Sequence, residues 1–351
     1  MEANFDIIIS GCNTRCRHCY VNGGPGALMR LEDALLCIEK LDAIAALLPF
    51  DSSFTLDNEP INHPDIAGII RAAASAKHAK HFHHGMTTGL ALMRRNDRDE
   101  VVRAYLDNGC TEFGITLHGS PEHHDELVRR RGAHKASLEA AKFLKSCGAE
   151  ISVSLMFNRF FPGDAESIDR DIDSIGPDYI WFAVPNYTPH ANMPAFEPYR
   201  GTLYDLYAIK GFLARWKQDP DELLRSAGEH TPAAAAALLD KGVSIKELYS
   251  QEQNEMYLTV HQDCMLYMGN TGVETRCLGD LRTLDIEWAA DEISHSPGNR
   301  DWEAFYDEEL LPEDADVIRA LNSLPRDIAF SDMPSVFYRA LEELRVPTRI
   351  L

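Results

Sequence analysis

The first two-thirds of the chain alternates short apolar runs with longer amphipathic segments, and this alternation restricts the possible folds more than any other feature. The apolar runs predict six strands: Phe5–Ser10, Ser52–Asp57, His81–Thr87, Glu112–Leu117, Glu150–Phe157 and Tyr179–Val184. The amphipathic segments predict five helices: Leu31–Leu48, Asp65–Ala76, Leu90–Asn108, His134–Cys147 and Asp164–Ser174. Strands separated by helices are parallel, with right-handed crossovers. Six such units are too few for a closed eight-stranded barrel, so they predict a partial barrel or an open sheet.

The pattern changes after Val184. A stretch rich in proline and aromatic residues predicts a long loop, and β-forming runs nearer the C-terminus predict a β-hairpin flanked by helices. These runs are 256–260 and 273–277. The chain is therefore expected to divide into a partial TIM-like barrel, residues 1–217, and a C-terminal α+β extension, residues 218–351. The hairpin is expected at about 254–285.

Composition and charge narrow the class of partner. The formal net charge is −21, which argues against nucleic acid because a phosphate backbone needs a basic face. The acidic surface serves solubility or attracts a cationic substrate. No apolar run approaches the ~18 residues of a membrane helix, and the N-terminal sequence MEANFD lacks the features of a signal peptide. A cytoplasmic protein without membrane contact is expected, with reduced cysteines.

Three of the eight cysteines lie close together in the segment GCNTRCRHCY, directly after the first predicted strand. Cys12, Cys16 and Cys19 form a CxxxCxxC pattern. A structural zinc site needs four ligands, usually from paired CxxC units, and a disulfide framework leaves one cysteine over and needs an oxidising compartment. An iron–sulfur cluster held by three thiolates is the third possibility. It leaves one iron free for another ligand, which is useful where chemistry takes place.

A CxxxCxxC pattern after the first strand of an alternating β/α chain resembles the signature of the radical S-adenosylmethionine (radical SAM) enzymes, and the resemblance covers about residues 5–215. It implies a partial (β/α)6 barrel in which Cys12, Cys16 and Cys19 hold a [4Fe–4S] cluster. The amino and carboxylate groups of SAM would chelate the open iron. An electron from a donor such as flavodoxin or ferredoxin would cleave SAM, and the resulting 5′-deoxyadenosyl radical would remove a hydrogen atom from the substrate.

Shorter stretches resemble other elements of the family. Leu56-Asp57-Asn58-Glu59-Pro60 stands at the family's GGEP element with both glycines replaced, and Glu59 is expected to hold the ammonium group of SAM. Thr87-Thr88-Gly89 corresponds to a TNG element, and Thr116-Leu117-His118-Gly119 to a Ser-x-Asp-Gly element. His18 replaces the usual aromatic residue before the last cysteine. The resemblance implies these SAM contacts: Tyr20, Asn58, Glu59, Thr88, Thr116, His118, Ser154 and Asn158.

The segment DCMLYMGNTGVETRCLGDL resembles the auxiliary-cluster extension called SPASM, or its shorter twitch form. It contains Cys264 and Cys277, too few cysteines for an auxiliary cluster, so a reduced twitch-like hairpin without a second cluster is expected. These thiols would donate a hydrogen atom to a substrate radical, or serve only in packing. The remaining three cysteines are predicted to be buried structural thiols: Cys37, Cys110 and Cys147.

Histidine and aromatic side chains supply further candidates. Four histidines near the third strand are assigned to the barrel lining or its surface: His78, His81, His83 and His84. His123 and His124, in the first turn of a helix, are expected to be solvated. The long loop is expected to supply substrate contacts: Tyr187, His190, Tyr199 and Arg200.

The sequence therefore predicts a radical SAM enzyme that acts on a ribosomal peptide or a specialised metabolite. The outcome of hydrogen abstraction stays open among epimerisation, dehydrogenation, rearrangement and bond formation. The alternative substrate is a small polar metabolite, such as an aminoglycoside, a nucleoside or an amino-acid derivative. A hypothesis of another class is a non-catalytic iron–sulfur or zinc protein.

Overall fold

Parallel strands form the framework of the molecule. The computed structural model describes residues 2–80, 84–189, 193–245, 255–272, 274–296, 306 and 308–348. The strands are β1 (Glu2–Ile7), β2 (Asp51–Leu56), β3 (Ala79–Lys80), β4 (His84–Met86), β5 (Glu112–Leu117), β6 (Glu150–Met156), β7 (Tyr179–Ala183), β8 (Glu255–Val260), β9 (Met265–Met268) and β10 (Arg276–Asp280).

Helices surround these strands and extend beyond them. They are α1 (Leu31–Ala45), α2 (Ile66–Ala74), α3 (Arg98–Asp107), α4 (Pro121–Leu127), α5 (Ala133–Ser146), α6 (Phe161–Ile175), α7 (Leu203–Ala208), α8 (Lys210–Arg215), α9 (Pro220–Glu229), α10 (Pro232–Asp240), α11 (Ile286–Ser294), α12 (Asp314–Ser323) and α13 (Met333–Glu343). In the described part of the chain, none of these helices is both long and apolar enough to span a membrane.

The strands form two sheets, with the orders β10-β9-β8-β1-β2-β3 and β4-β5-β6-β7. Strands β1 to β3 run parallel, and so do β4 to β7. The register places Phe5 opposite Phe54 and Thr116 opposite Ser154. Between β3 and β4, residues 81–83 of the third predicted strand lie outside the described residues. The parallel sheets and the C-terminal hairpin confirm the predicted α/β class.

Local sequence signals determine where the helices end. Gly109 and Gly148 follow α3 and α5 with φ angles of 88° and 94°. This left-handed conformation carries no steric cost for glycine and is typical of a helix C-terminus, as the sequence predicts. Pro121 begins α4 directly after Ser120, in the first helical position that proline favours. These ends determine where the chain leaves each helix and turns toward the next strand.

The predicted helix Leu90–Asn108 is two elements, a 3-10 turn at Leu92–Arg94 followed by α3. Arg95 separates them. Its guanidinium donates hydrogen bonds to three carbonyls of the 61–64 segment and pairs with Asp97 at 2.6 Å. Arg95 has extended backbone, so the helical path is interrupted here and α3 begins at Arg98.

The C-terminal hairpin region contains one strand more than predicted. β9 lies within the segment interpreted as a break and pairs antiparallel with both β8 and β10. Cys264 closes the turn between β8 and β9: it has a φ of 68° and donates its N–H to the carbonyl of His261 at 2.9 Å. β8 also pairs in parallel with β1. The extension therefore continues the sheet on the outer side of the first strand.

Side chains from the long loop and the C-terminal helices form a second core. Arg200 is buried there. Its guanidinium donates to the carbonyls of residues 185 and 186 at 2.6 and 3.0 Å and pairs with Glu197 at 2.9 Å. Tyr187 is buried as well. The structure thus places two of the predicted substrate contacts inside the protein, and a third, His190, lies outside the described residues.

Candidate active site

The loop between β1 and α1, called here the cluster loop (residues 11–26), carries the three clustered cysteines and folds back on itself. The N–H of Cys12 donates to the carbonyl of Gly24 at 2.8 Å, and the N–H of Cys19 donates to the carbonyl of Cys16 at 3.2 Å. The N–H of Gly23 donates to the Cys19 sulfur at 3.1 Å. Backbone hydrogen bonds therefore determine the positions of the cysteines within the loop.

Gly23 lies between two of the thiols. A Cβ at this position would be 3.3 Å from the sulfur atoms of both Cys12 and Cys19, and 3.0 Å from the side-chain oxygen of Asn58. Burial raises the pKa of all three cysteine thiols, that of Cys16 to about 12. A bound metal cluster would oppose this shift, because its positive charge stabilises thiolates. Glycine therefore keeps open a space that thiols border and that a cluster would suit.

The ligand chemistry fits an iron–sulfur cluster. Thiolates are the usual ligands of such clusters, and none of the three cysteines forms a disulfide. Among the described residues, no group of three or more His, Cys, Asp or Glu side chains is arranged to hold a metal ion. A cubane does not require that arrangement, since each ligated iron takes its own thiolate.

Asn58 adopts a left-handed backbone conformation, with a φ of 64°. Asparagine tolerates this conformation better than most residues that have a side chain. Its N–H donates to the carboxylate of Asp57 at 2.6 Å, and its side-chain oxygen lies 3.7 Å from the Cys12 sulfur. Asn58 therefore supplies a backbone geometry natural to glycine and also places an amide beside the cluster loop.

Glu59 is wholly buried. Its carboxylate accepts hydrogen bonds from the hydroxyl of Thr87 at 2.6 Å and from the N–H of Thr88 at 2.7 Å. Burial raises the pKa of this carboxyl, and within the described residues no ion pair includes it. A buried carboxylate without a cation is energetically costly. A ligand with an ammonium group would relieve this cost.

A cavity extends from the cluster loop to the carboxyl ends of β2, β4 and β5. Cys16 lines it on one side. Five of the expected SAM contacts line it as well: Asn58, Glu59, Thr88, Thr116 and His118. Parallel α/β folds place their sites at this end of the strands. Residues from three strand ends therefore share one cavity with a clustered cysteine.

Three of the expected SAM contacts lie outside this lining. Asn158 is buried, donates its amide to the carbonyl of His118 at 2.7 Å and accepts the N–H of Phe160 at 3.0 Å, so it holds a turn. Ser154 lies beside Thr116 in the sheet. Tyr20, in the cluster loop, is 49% exposed. The structure brings none of the three into the wall of the cavity.

Four histidine rings form a row that starts at the cavity wall. The Nε2 atoms of His18 and His118 are 3.3 Å apart. The ring of His124 lies 4.9 Å from that of His118 and 5.3 Å from that of His134, which contacts Asp171 at 2.9 Å. Burial lowers the pKa of His18 to about 4 and that of His124 to about 3. Both rings are therefore neutral at pH 7.

Sequence reasoning missed this row. The expectation that His124 is solvated is wrong, because α4 turns this residue toward the cavity. His123 is half-buried and stacks on the ring of Phe160. The row forms only when separate elements pack together, and no spacing in the sequence signals it. His78 and His84 are exposed, and His81 and His83 lie outside the described residues.

The two cysteines of the C-terminal hairpin occupy different environments. Cys264 is buried in the main core beside the thiol of Cys37. Cys277 is exposed on β10, opposite Tyr267 of β9. Neither thiol lines the cavity next to the cluster loop. Of the three cysteines predicted to be buried structural thiols, Cys37 and Cys110 are buried, whereas Cys147 is only half-buried.

Comparisons with known proteins agree with this geometry. A family model of the radical SAM superfamily matches residues 7–171, and no curated protein sequence matches the chain. The solved structure of anSMEcpe with bound AdoMet and the Cp18Cys peptide is 13% identical, with a TM-score of 0.54 over 98% of each chain. SuiB of Streptococcus suis bound to the precursor peptide SuiA is also 13% identical, with a TM-score of 0.53 over 83% of this chain and 65% of SuiB.

At this level of identity the solved structures establish the fold alone, and that fold agrees with the predicted partial barrel. The family match includes the cluster loop and all five expected SAM contacts that line the cavity. Residues 7–171 thus form a radical SAM domain, and the protein is an enzyme with a [4Fe–4S] cluster and S-adenosylmethionine as its cofactors.

Proposed function

We propose that the protein binds S-adenosylmethionine in the cavity beside the cluster loop and modifies a peptide by hydrogen abstraction. The observation that carries this proposal is Glu59, a buried carboxylate without an ion pair among the described residues, in the wall of a cavity that also contains Cys16. When bound, the cluster and SAM supply a 5′-deoxyadenosyl radical that removes a hydrogen atom from the substrate. The protein's part is to hold the reactants in position and to exclude water.

Each cavity residue has a proposed task. Cys12, Cys16 and Cys19 ligate the cluster. Glu59 accepts the ammonium group of SAM, and its hydrogen bonds from residues 87 and 88 orient both carboxylate oxygens. Because these bonds also favour the ionised form, they keep the buried carboxylate ready for a cation. Thr116 and His118, at the end of β5, are proposed to contact the nucleoside part of SAM, and Asn58 and Thr88 its methionine part.

Two structural comparisons support a peptide substrate. The anSMEcpe structure contains the Cp18Cys peptide and the SuiB structure contains the precursor peptide SuiA. Both share the fold of this chain. The matches cover 98% and 83% of the whole chain, so they include most of its C-terminal extension. A small cationic metabolite is the second candidate, and the net charge of −21 favours it.

The test uses protein reconstituted with iron and sulfide without oxygen. With SAM and dithionite we expect 5′-deoxyadenosine, and about four iron atoms per chain, as one cubane requires. Bound zinc, or no nucleoside product, would support the non-catalytic alternative. Separate panels of peptides and cationic metabolites then identify the substrate class, because the correct one stimulates SAM cleavage.

Glu59→Gln tests the site itself. The change keeps the shape of the side chain and removes its charge, so SAM affinity should fall about ten- to hundredfold, the equivalent of a charge-assisted hydrogen bond of about 1.5–3 kcal/mol. Glu150→Gln, at an exposed position of β6, is the matched control and should bind SAM normally. Equal SAM affinities in the two variants would show that Glu59 does not contact SAM.

A further inference from the structure

An exposed group of arginines lies beside the cluster loop. Arg129, Arg130 and Arg131 follow α4 and are all exposed, in a chain whose net charge is −21. Arg15, next to Cys16 in the cluster loop, is exposed as well. Within the described part of the chain, none of these four arginines takes part in an ion pair. Their positive charge is therefore available to a partner.

These arginines are in structural contact with the cluster loop. The N–H groups of Arg15 and Arg17 donate to carbonyls at the end of α4, at 3.2 and 2.9 Å. Cys16 packs against a small apolar cluster that includes Val128 and Ala133, the buried residues on either side of the arginine turn. A protein that contacts this turn would be separated from Cys16 by little more than these two apolar side chains.

The carboxylates of the same turn offset only part of this charge. Asp125 accepts hydrogen bonds from two backbone N–H groups, and Glu126 accepts one from the hydroxyl of Tyr199. The guanidinium of Arg17 lies over the ring of Tyr199 at 4.9 Å and adds a further positive charge. Five arginines therefore outnumber the two carboxylates of the turn, so this patch is positive, opposite in sign to the protein as a whole.

The proposed reaction needs a partner of suitable charge. For each reductive cleavage of SAM, the cluster must gain one electron from outside the chain, while the carrier that supplies it is oxidised by one electron. An acidic carrier is repelled by most of this protein's surface and attracted by the arginine turn. Such a charge distribution steers a partner to one site and sets its orientation.

We propose that Arg15 and Arg129–Arg131 form the docking surface for an acidic one-electron carrier of the flavodoxin or ferredoxin class, which reduces the cluster from the Cys16 side. This inference rests on the proposed function, because only a redox-active cluster needs such a partner. An acidic peptide and a nucleic acid are the other anionic macromolecules that an arginine surface attracts, and the test below separates them from the carrier.

The test reverses the charge of the turn in the reconstituted, full-length protein. The variant R129E/R130E/R131E is compared with R71E/R103E/K142E, which changes the net charge equally at exposed positions of α2, α3 and α5. Binding of a purified acidic flavodoxin is measured at several salt concentrations. We expect roughly tenfold weaker binding and a smaller salt dependence for the arginine-turn variant only. The charge-preserving variant R129K/R130K/R131K should bind like the wild type.

Cluster reduction gives an independent readout. Reduced flavodoxin should bleach the cluster of the R129E/R130E/R131E variant slowly, whereas dithionite should bleach it at the wild-type rate. Unchanged flavodoxin binding would overturn the proposal. So would slow reduction by dithionite, because the turn would then support the cluster structurally, or loss of affinity for an acidic peptide or nucleic acid alone. Failure of the wild type to form 5′-deoxyadenosine with dithionite would contradict the proposed function, while the binding titration tests the docking surface by itself.

Discussion

Gly272 lies against the backbone of Val21, so the turn between β9 and β10 rests on the cluster loop. The φ of Gly272 is 82°, and a Cβ at this position would be 2.8 Å from the carbonyl carbon of Val21. Glu274 stabilises the turn, since its carboxylate accepts the N–H of Gly272 at 3.0 Å and contacts the ring of His261 at 2.7 Å. The C-terminal extension therefore shapes the loop that carries the three cysteines.

Gly272→Ala should displace this contact. The left-handed backbone costs alanine about 1–2 kcal/mol, and the clash with Val21 adds to it, so we expect a loss of about 2 kcal/mol or more in the free energy of unfolding and less bound iron after reconstitution. Gly242→Ala is the control: its φ is 83°, but a Cβ there meets nothing within 4 Å. It should lose about 1 kcal/mol and keep its iron. Equal iron content in the two variants would speak against the contact.

Gly23→Ala should leave the fold intact and impair the cluster. The added methyl group would occupy the space between the sulfurs of Cys12 and Cys19, at 3.3 Å from each. Gly24→Ala adds the same group one residue later, where it makes only ordinary contacts with the side chain of Arg15. Iron analysis and thermal unfolding of both variants check this. The idea fails if Gly23→Ala binds as much iron as Gly24→Ala.

Asp6 should make stability fall with rising pH. It lies in β1 between Thr55 and Thr259, and burial, followed by the nearby charge of Asp57, raises its pKa from 3.8 to about 8. Between these values the native state keeps a proton that the unfolded state has lost. The free energy of unfolding should therefore decrease through this window by about 1.4 kcal/mol per pH unit, relative to Asp6→Asn.

Urea denaturation at several pH values measures this difference for Asp6. Asp51→Asn provides the comparison, because Asp51 is exposed and its pKa is lowered by a hydrogen bond from Lys80. That variant should show no stability gain over the wild type between pH 4 and 8. Parallel pH profiles for the wild type and Asp6→Asn would contradict the assignment.

Arg200→Met should destabilise the second core. The change removes a buried guanidinium and leaves two carbonyls and the carboxylate of Glu197 without this partner. We expect a loss of about 3 kcal/mol in the free energy of unfolding. Tyr199→Phe removes an exposed hydrogen bond to Glu126 and should cost about 1 kcal/mol or less. Chemical denaturation compares the two, and similar losses would show that Arg200 is not a structural anchor.

Much of the fold is predictable from local patterns. The strand Glu112–Leu117 has the predicted ends, because apolar residues fill it and Gly109 stops the preceding helix. The five expected SAM contacts that line the cavity come from the family resemblance, and they lie together because parallel strands carry their sites at one end. Periodicity and capping act within a few residues, and elements that depend on them can be read directly from the chain.

Long-range packing is the part that local patterns do not contain. The sequence predicts that Arg200 is a polar residue of a loop and that His124 is a solvated residue of a helix, yet both are buried. Carbonyls of the chain itself satisfy the guanidinium of Arg200, and other imidazole rings surround His124. The pairing of β8 with β1 joins residues about 250 positions apart, and no periodicity in either strand specifies this partner.

That pairing also determines the order in which the enzyme can mature. A nascent chain synthesised only as far as residue 254 has no strand to cover the outer edge of β1, and its cluster loop lacks the turn that contains Gly272. Because a chain folds in the order of its synthesis, iron that arrives before β8 to β10 have been made meets an incomplete cluster site. We therefore expect a complete cluster site only after β8 to β10 have been synthesised.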